Sequence, residues 1–382
     1  MQKRPSAWAS LHPRIANLLA AGAELLRRPT LTRDALFLSS ASIVSGLGSL
    51  IYWKLITLNF SAAVVGLVSA AITSAMFLGN LANLGITAGL ARFWPEQDRQ
   101  ERARNSAFAY LSSFLTGLFV GLLFVGGRQW WAASLIPDEN GLMYAVIFFL
   151  LLLSVAQLNI IGAILQAARY SHYLIVQSMA INFIQILGGL IVSAPIAMLS
   201  GFGTVSVLFS YTFPIIVVAI VFYAVLPRLA DIPFAKLDLR KIPAADFWWY
   251  SLGSQFFNLI WILPTFVFPI MTLGKLGAAA NAKLSIVWYG YGFLAIIPYS
   301  ITVPLLVSSS YVPEKLGDRL RESLLVNFLI ALPMIAISVL FAPWLLGIFG
   351  VFYSQASLLL QLLALSILPV SVNLIYLSVY NL

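Results

Sequence analysis

Four cationic side chains stand where charge meets long uncharged stretches of this chain: Lys54, Arg92, Lys275 and Lys283. Each could hold an anionic group entering a low-dielectric interior, where unpaired charge is costly. Each could equally anchor a helix end at a membrane face. Lys54 has Tyr52 and Trp53 beside it for that second purpose. Gln255, Asn258 and Trp261 recur three residues apart, next to Pro264 and Pro269, and form a candidate ligand-facing stripe. Amides hydrogen-bond sugar hydroxyls well, and they also glue helices together at around 0.6 kcal/mol each. Glue is the default reading for the other amides in uncharged stretches: Asn80, Asn83, Gln157, Asn159, Gln177, Asn182, Gln185 and Asn373.

Other chemistry is short of material. There is no cysteine, which excludes disulfides, thiolate metal sites and cysteine nucleophiles. His12 and His172 are the two histidines and form no HExxH-like pair, so neither a metal site nor a cofactor is expected. All 13 acidic residues fall in tails, loops or helix ends. A proton or sodium antiporter usually needs a carboxylate inside the membrane, so that chemistry is weakened.

The elements that must position these groups follow from composition. Hydrophobic residues make up 61% and charged residues 9%, against roughly 45–50% and about 25% in soluble domains. So few charges cannot cover a water-exposed surface. A soluble enzyme or a nucleic-acid binder is excluded, and the mean hydropathy of +0.94 agrees. Charge-free stretches mark the spans, each needing about 20 apolar residues. They are Ala35–Trp53, a second within Leu55–Ala91, Asn105–Gly127 and Gly141–Ala168. Tyr170–Pro227 divides at Ser200–Thr204 into two, Phe247–Gly274 and Leu284–Pro313 follow, and Ser323–Leu382 divides near Gly347–Ser354. That is an all-α integral membrane protein of about ten transmembrane helices.

The net charge of +9 is a matter of orientation rather than of a nucleic-acid partner. With a cytoplasmic amino terminus, 18 of the 22 Lys and Arg residues fall on inner segments; Lys54, Arg128, Lys275 and Lys283 remain outside. Both termini are therefore expected to be cytoplasmic. Residues 1–33 lack the apolar core of a signal peptide and read as a basic tail or a short interfacial helix.

A shift of 215 places Ile56-Thr57-Leu58 on Met271-Thr272-Leu273 and span three on span nine. The inner turns Trp94-Pro95-Glu96 and Val312-Pro313-Glu314 are also alike, each followed by a charged run. Spans one to four then correspond to spans seven to ten in the same orientation, a parallel repeat typical of alternating-access transporters. The expected organisation is a six-helix bundle at 34–227, a cytoplasmic linker at 228–245 and a four-helix bundle at 246–382.

Particular residues carry a resemblance. Tyr52-Trp53-Lys54-Leu55-Ile56-Thr57-Leu58-Asn59-Phe60-Ser61, then Val65-Gly66-Leu67, resembles the first helix hairpin of bacterial polysaccharide flippases. Asn83-Leu84-Gly85-Ile86-Thr87-Ala88-Gly89-Leu90-Ala91-Arg92-Phe93 is similar to the ending of that family's second helix. Ile297-Pro298 and Val303-Pro304 fit the matching region of the second bundle. The family is the O-antigen and lipid-linked oligosaccharide flippases of the multidrug/oligosaccharidyl-lipid/polysaccharide exporter (MOP) superfamily. The resemblance implies two bundles of six helices in a bacterial inner membrane. It implies a polyprenyl-pyrophosphate-linked sugar repeat unit as cargo, moved from inner to outer leaflet, with the polysaccharide polymerase machinery as a partner. Lys54, Arg92, Lys275 and Lys283 would then face the pyrophosphate, and the Gln255–Asn258–Trp261 stripe the sugar. The sequence departs in showing four helices of the second bundle before Tyr380-Asn381-Leu382, so a longer reading frame or a dimer is expected to cover the gap.

Two alternatives stay open, a multidrug exporter of the same fold and a membrane glycosyl-polymerase or ligase. The second needs catalytic groups on an outer loop. The longest, Arg128–Asn140, offers one basic and two acidic residues and no histidine, thin material for acid–base catalysis. A non-enzyme is expected.

Overall fold

A computed structural model of the chain describes residues 31–131, 133–136, 140–193, 203–229, 245–311 and 316–380. Most of the amino-terminal tail, most of the linker at 228–245, most of the Ser200–Thr204 break, Asp138-Glu139 and the turn Val312-Pro313-Glu314 lie outside the described residues. The described residues form ten long helices: α1 (Leu31–Asn59), α2 (Ala62–Ala82), α3 (Arg99–Gly126), α4 (Gly141–Ala167) and α5 (His172–Val192). The others are α6 (Gly203–Leu229), α7 (Ala245–Leu276), α8 (Ala278–Tyr311), α9 (Leu316–Leu340) and α10 (Ser357–Tyr380). Eight of them, α1 to α7 and α10, carry an apolar stretch long enough to cross a bilayer. No strand occurs among the described residues. The chain is a multi-pass, all-helical membrane protein.

Local chemistry sets the boundaries. Ser61 caps α2 by accepting from the Val64 amide at 3.4 Å. Asp98 caps α3 through a reciprocal box with Glu101, whose amide donates to Asp98 Oδ1 at 2.7 Å. The second span is not continuous to Ala91. It breaks at Leu84 and Gly85, both at positive φ (49° and 74°), and resumes as a short helix, Ile86–Phe93. The α7–α8 connection is Gly277 alone, at φ 85°, so α8 starts six residues before Leu284. Lys283 consequently stands within α8 rather than in the turn.

Packing repeats as the sequence shift requires. α2, α3 and α4 pack on one another, and α8, α9 and α10 do the same. The two halves meet through α2 against α8, flanked on one side by α1 against α8 and on the other by α7 against α2. Exchanging each helix for its repeat partner leaves that set unchanged, which is the signature of a two-fold relation between the halves. One asymmetry remains. α1 is covered by α5, where Asn182 Nδ2 donates to the Val44 carbonyl at 3.2 Å over Gly48. α7 has no such cover among the described residues, and 11% of its spanning window is buried against 28% for α1.

The absence of cysteine makes orientation directly measurable. Single cysteines placed at Asn59 and Val351 should react with an impermeant maleimide in intact cells, and one at Gln100 only after permeabilisation. Labelling of Gln100→Cys from the same side as Asn59→Cys would overturn the topology.

Candidate functional site

The interface between the halves is the place where helices from both bundles meet, and it is held at both ends. At the end formed by the start of α2 and of α8, Gly66 lets backbone touch backbone. A Cβ on Gly66 would lie 1.7 Å from the Ala278 carbonyl oxygen. Asn281 Nδ2 donates to the Gly66 carbonyl at 2.8 Å, and the Ser69 and Ser285 hydroxyls share a hydrogen bond of 2.7 Å. These partners are 215 and 216 positions apart, so residues equivalent under the repeat touch each other. Such contacts arise where a two-fold axis passes.

Beside them Trp53 stacks on Tyr289, ring centres 5.1 Å apart, and joins α1 to α8. Tyr52, fully buried, donates to the Val207 carbonyl at 3.1 Å, lies 2.9 Å from Ser210 Oγ and meets Tyr211 edge-on. Above this aromatic layer sits a hairpin of two short helices, Ala342–Gly347 and Val351–Ser354. Lys54 Nζ donates to the Ile348 carbonyl, and Lys283 Nζ donates to Gln355 Oε1 at 2.7 Å while lying 4.3 Å over the Phe352 ring. Burial pushes the Tyr353 phenol in the same hairpin up to about 12, so it stays neutral.

At the opposite end α2 meets α7. Gln255, buried, donates to the Asn80 carbonyl at 3.0 Å, and Asn159 Nδ2 reaches Asn80 Oδ1 at 3.4 Å. Gly85 and Gly89 lie so close to α7 that a Cβ would come within 1.8 Å of the Ser251 carbonyl oxygen and 2.3 Å of its hydroxyl. Midway along, Phe77 stacks on Phe266 at 4.3 Å. The two halves are therefore joined along the length of α2.

These placements sort the residues singled out in the sequence. Lys54 and Lys283 come together on the hairpin, tied to neutral acceptors at the end of the bundle. Lys275 is exposed in the last turn of α7. Arg92 is exposed on the short helix and pairs with Glu96 at 3.4 Å, as an anchor at a membrane face would. Gln255 and Lys275 are twenty residues apart on α7, about 30 Å along the axis, so one headgroup cannot touch both. The stripe does not hold as a unit either. Gln255 is buried, whereas Asn258 is exposed and Trp261 half exposed. Steps of three on a 3.6-residue helix drift by about 60° each, enough to carry Trp261 off the face of Gln255.

The residues that matter most at the interface escaped the sequence reading. Asn281, Ser285 and Ser69 are ordinary polar residues in apolar runs, and Gly66 appeared as part of a hairpin pattern. The available signal was their separation of 215 or 216, which matches the repeat.

No family model matches the chain, and no curated protein sequence does. Solved structures do. The crystal structure of MATE in the straight conformation matches 94% of this chain and 84% of its own, with a TM-score of 0.61 and 18% identity. A MOP superfamily transporter from Pyrococcus furiosus, described as having a binding pocket of reversed polarity that suggests a different function, matches with a TM-score of 0.61 and 16% identity, covering 94% of this chain and 84% of that one. An inward-facing multidrug resistance MATE family transporter matches with a TM-score of 0.58 and 17% identity, over 93% and 82%. The fold is that of the MATE transporters of the MOP superfamily. At these identities the likeness is one of architecture.

The contact between Ser69 and Ser285 lies on the seam between the two halves. The double variant Ser69→Cys/Ser285→Cys should form a disulfide across the halves under mild oxidation, read as a mobility shift after cleavage between them. Gly66→Val should lower stability by about 1–3 kcal/mol through overpacking against Ala278, measured as a drop in the unfolding midpoint in detergent.

Proposed function

We propose that this chain is an alternating-access exporter of an anionic, lipid-linked cargo, a polyprenyl-pyrophosphate oligosaccharide moved from the inner to the outer leaflet and passed to a polymerase. The observation that carries the reading is the polarity of the seam. Its ends bear lysine, arginine and amides, and none of the chain's carboxylates lies in mid-span. A cationic drug has no counter-charge in mid-span. An anionic headgroup has partners at both faces, Arg92 at one and Lys54, Lys275 and Lys283 at the other.

The hairpin adds a mechanism. Lys54 and Lys283 hold it through neutral acceptors, a carbonyl and an amide, which a phosphate would outcompete because its full negative charge adds an ion-pair attraction that those acceptors lack. Arrival of the headgroup at the outer end then releases the hairpin and lets the cargo leave. The fold likeness supports a transporter over an enzyme. One fold neighbour, the MOP superfamily transporter described as having a pocket of reversed polarity, supports a departure from multidrug export. The second reading is multidrug export itself, favoured by the fold likeness to a multidrug resistance transporter.

Accumulation of lipid-linked repeat units on the inner leaflet separates the two. Loss of the protein should raise it and leave drug susceptibility unchanged. Lys54→Ala/Lys283→Ala should reproduce the loss with normal membrane insertion, and Lys54→Arg should retain most of the transport because the charge is kept. Unchanged repeat-unit export together with altered drug susceptibility would replace the first reading by the second.

A further inference from the structure

A cavity of about 680 Å³ lies away from the seam, between α3, α4 and α6. α4 forms its floor with Leu150, Leu153, Ser154 and Gln157; α3 supplies one wall and α6 the other, and Tyr110 meets Tyr223 edge-on at 5.1 Å between those walls. Its rim residues Phe114, Leu150, Ile220 and Tyr223 are exposed on the outside of the bundle, so the groove opens toward lipid and not toward the transport seam. We propose that it binds one acyl chain of an anionic phospholipid from the leaflet at the Arg99 face.

Length, polarity and charge together select that occupant. The lining on α3 runs from Ala103 to Phe114, which is about 16 Å of helix and half of a hydrocarbon core of about 30 Å. The groove is therefore one leaflet deep, the reach of an acyl chain and far short of a long polyprenyl tail. It also has polar wall positions. Ser106 is buried with its hydroxyl unpaired, as is the Tyr110 hydroxyl. The ester groups of a glycerolipid bring acceptors below the phosphate, whereas a polyprenyl chain has none there. Beyond the groove's Arg99 end stand Arg92, Arg99, Arg102 and Arg104 around the start of α3 and Arg228 next to the lining residue Pro227, five cations against Glu96, Asp98 and Glu101. That surplus favours an anionic headgroup over a zwitterionic one.

The test is lipid retention, which does not depend on any transported cargo and so stands apart from the functional reading above. Protein purified from membranes containing phosphatidylglycerol and phosphatidylethanolamine is washed in detergent and its bound lipid identified by native mass spectrometry. Phosphatidylglycerol should be retained preferentially by the unaltered chain. Arg228→Gln, at an exposed position, should lower its retention about fivefold, the effect of one basic residue near a lipid surface. Ala107→Trp, which fills the groove, should lower retention further; the exposed Arg228→Gln variant keeps the test decisive if the tryptophan prevents folding. Equal retention of the two phospholipids, no change in Arg228→Gln, or displacement of phosphatidylglycerol by an equal concentration of polyprenyl phosphate would each overturn the proposal.

Discussion

The structure depends on one close approach, the contact of α2 with α8 at Gly66. With no side chain between them, the α2 backbone and the Ala278 carbonyl come within the distance a single methyl group would occupy. In lipid there is little hydrophobic force between helices, so association rests on packing, backbone proximity and interhelical hydrogen bonds. Gly66 supplies the proximity, and Asn281, Ser69 and Ser285 supply the hydrogen bonds. Every other contact between the halves described above flanks this one: Trp53 on Tyr289 to one side, Phe77 on Phe266 and Gln255 on Asn80 to the other. Individually each hydrogen bond is worth about 0.6 kcal/mol in a membrane. The seam is thus a sum of small terms, tight in geometry yet easily parted.

The membrane constraint also explains what the sequence made legible. Backbone groups in lipid must be paired within the segment, so uninterrupted apolar runs had to be helices. That is why the positions of the ten helices could be read from charge-free stretches alone. Where the reading missed, a local rule intervened that hydropathy does not see. Leu84 and Gly85 break the second span through backbone conformation, not polarity. α8 begins before Lys283 because Gly277 alone suffices to turn the chain, leaving a lysine inside a helix that the charge pattern would end.

The site was less legible than the fold. An amide in an apolar run is conspicuous, which singles out Gln255, and it does bridge the halves. Asn258 and Trp261 follow from the same spacing and do not share its environment, since the helix turns away beneath them. Lys54 stands out as a charged residue at the end of a span, but its partner is a backbone carbonyl 294 positions away. No local pattern encodes a contact of that range. Serines and an asparagine at the axis were invisible for another reason: their significance lies in pairing with their own repeat equivalents, which becomes visible only when the repeat register is imposed on the three-dimensional packing.

If the chain works by alternating access, as proposed above, a seam held at two ends has a consequence for how it opens. Alternating access requires that contacts at one face break while those at the other persist, and the two faces here are bonded differently. The face of Gly85 and Gly89 closes by steric fit against Ser251 and Phe247, together with one hydrogen bond from the buried Gln255 amide to the Asn80 carbonyl. The face of Gly66 closes by a polar cluster and an aromatic layer, and above it lies a hairpin tethered by two ammonium groups. A steric fit is insensitive to charge, whereas an ammonium tether on a neutral acceptor is open to competition from an anion, whose charge attracts it more strongly. The two ends therefore answer to different signals. On the proposed reading, the lysine-bearing end is the one an anionic cargo would unlock, and the glycine-lined end would part only when the bundles rock as bodies. That difference would give the movement a direction without requiring a titrating carboxylate in the membrane.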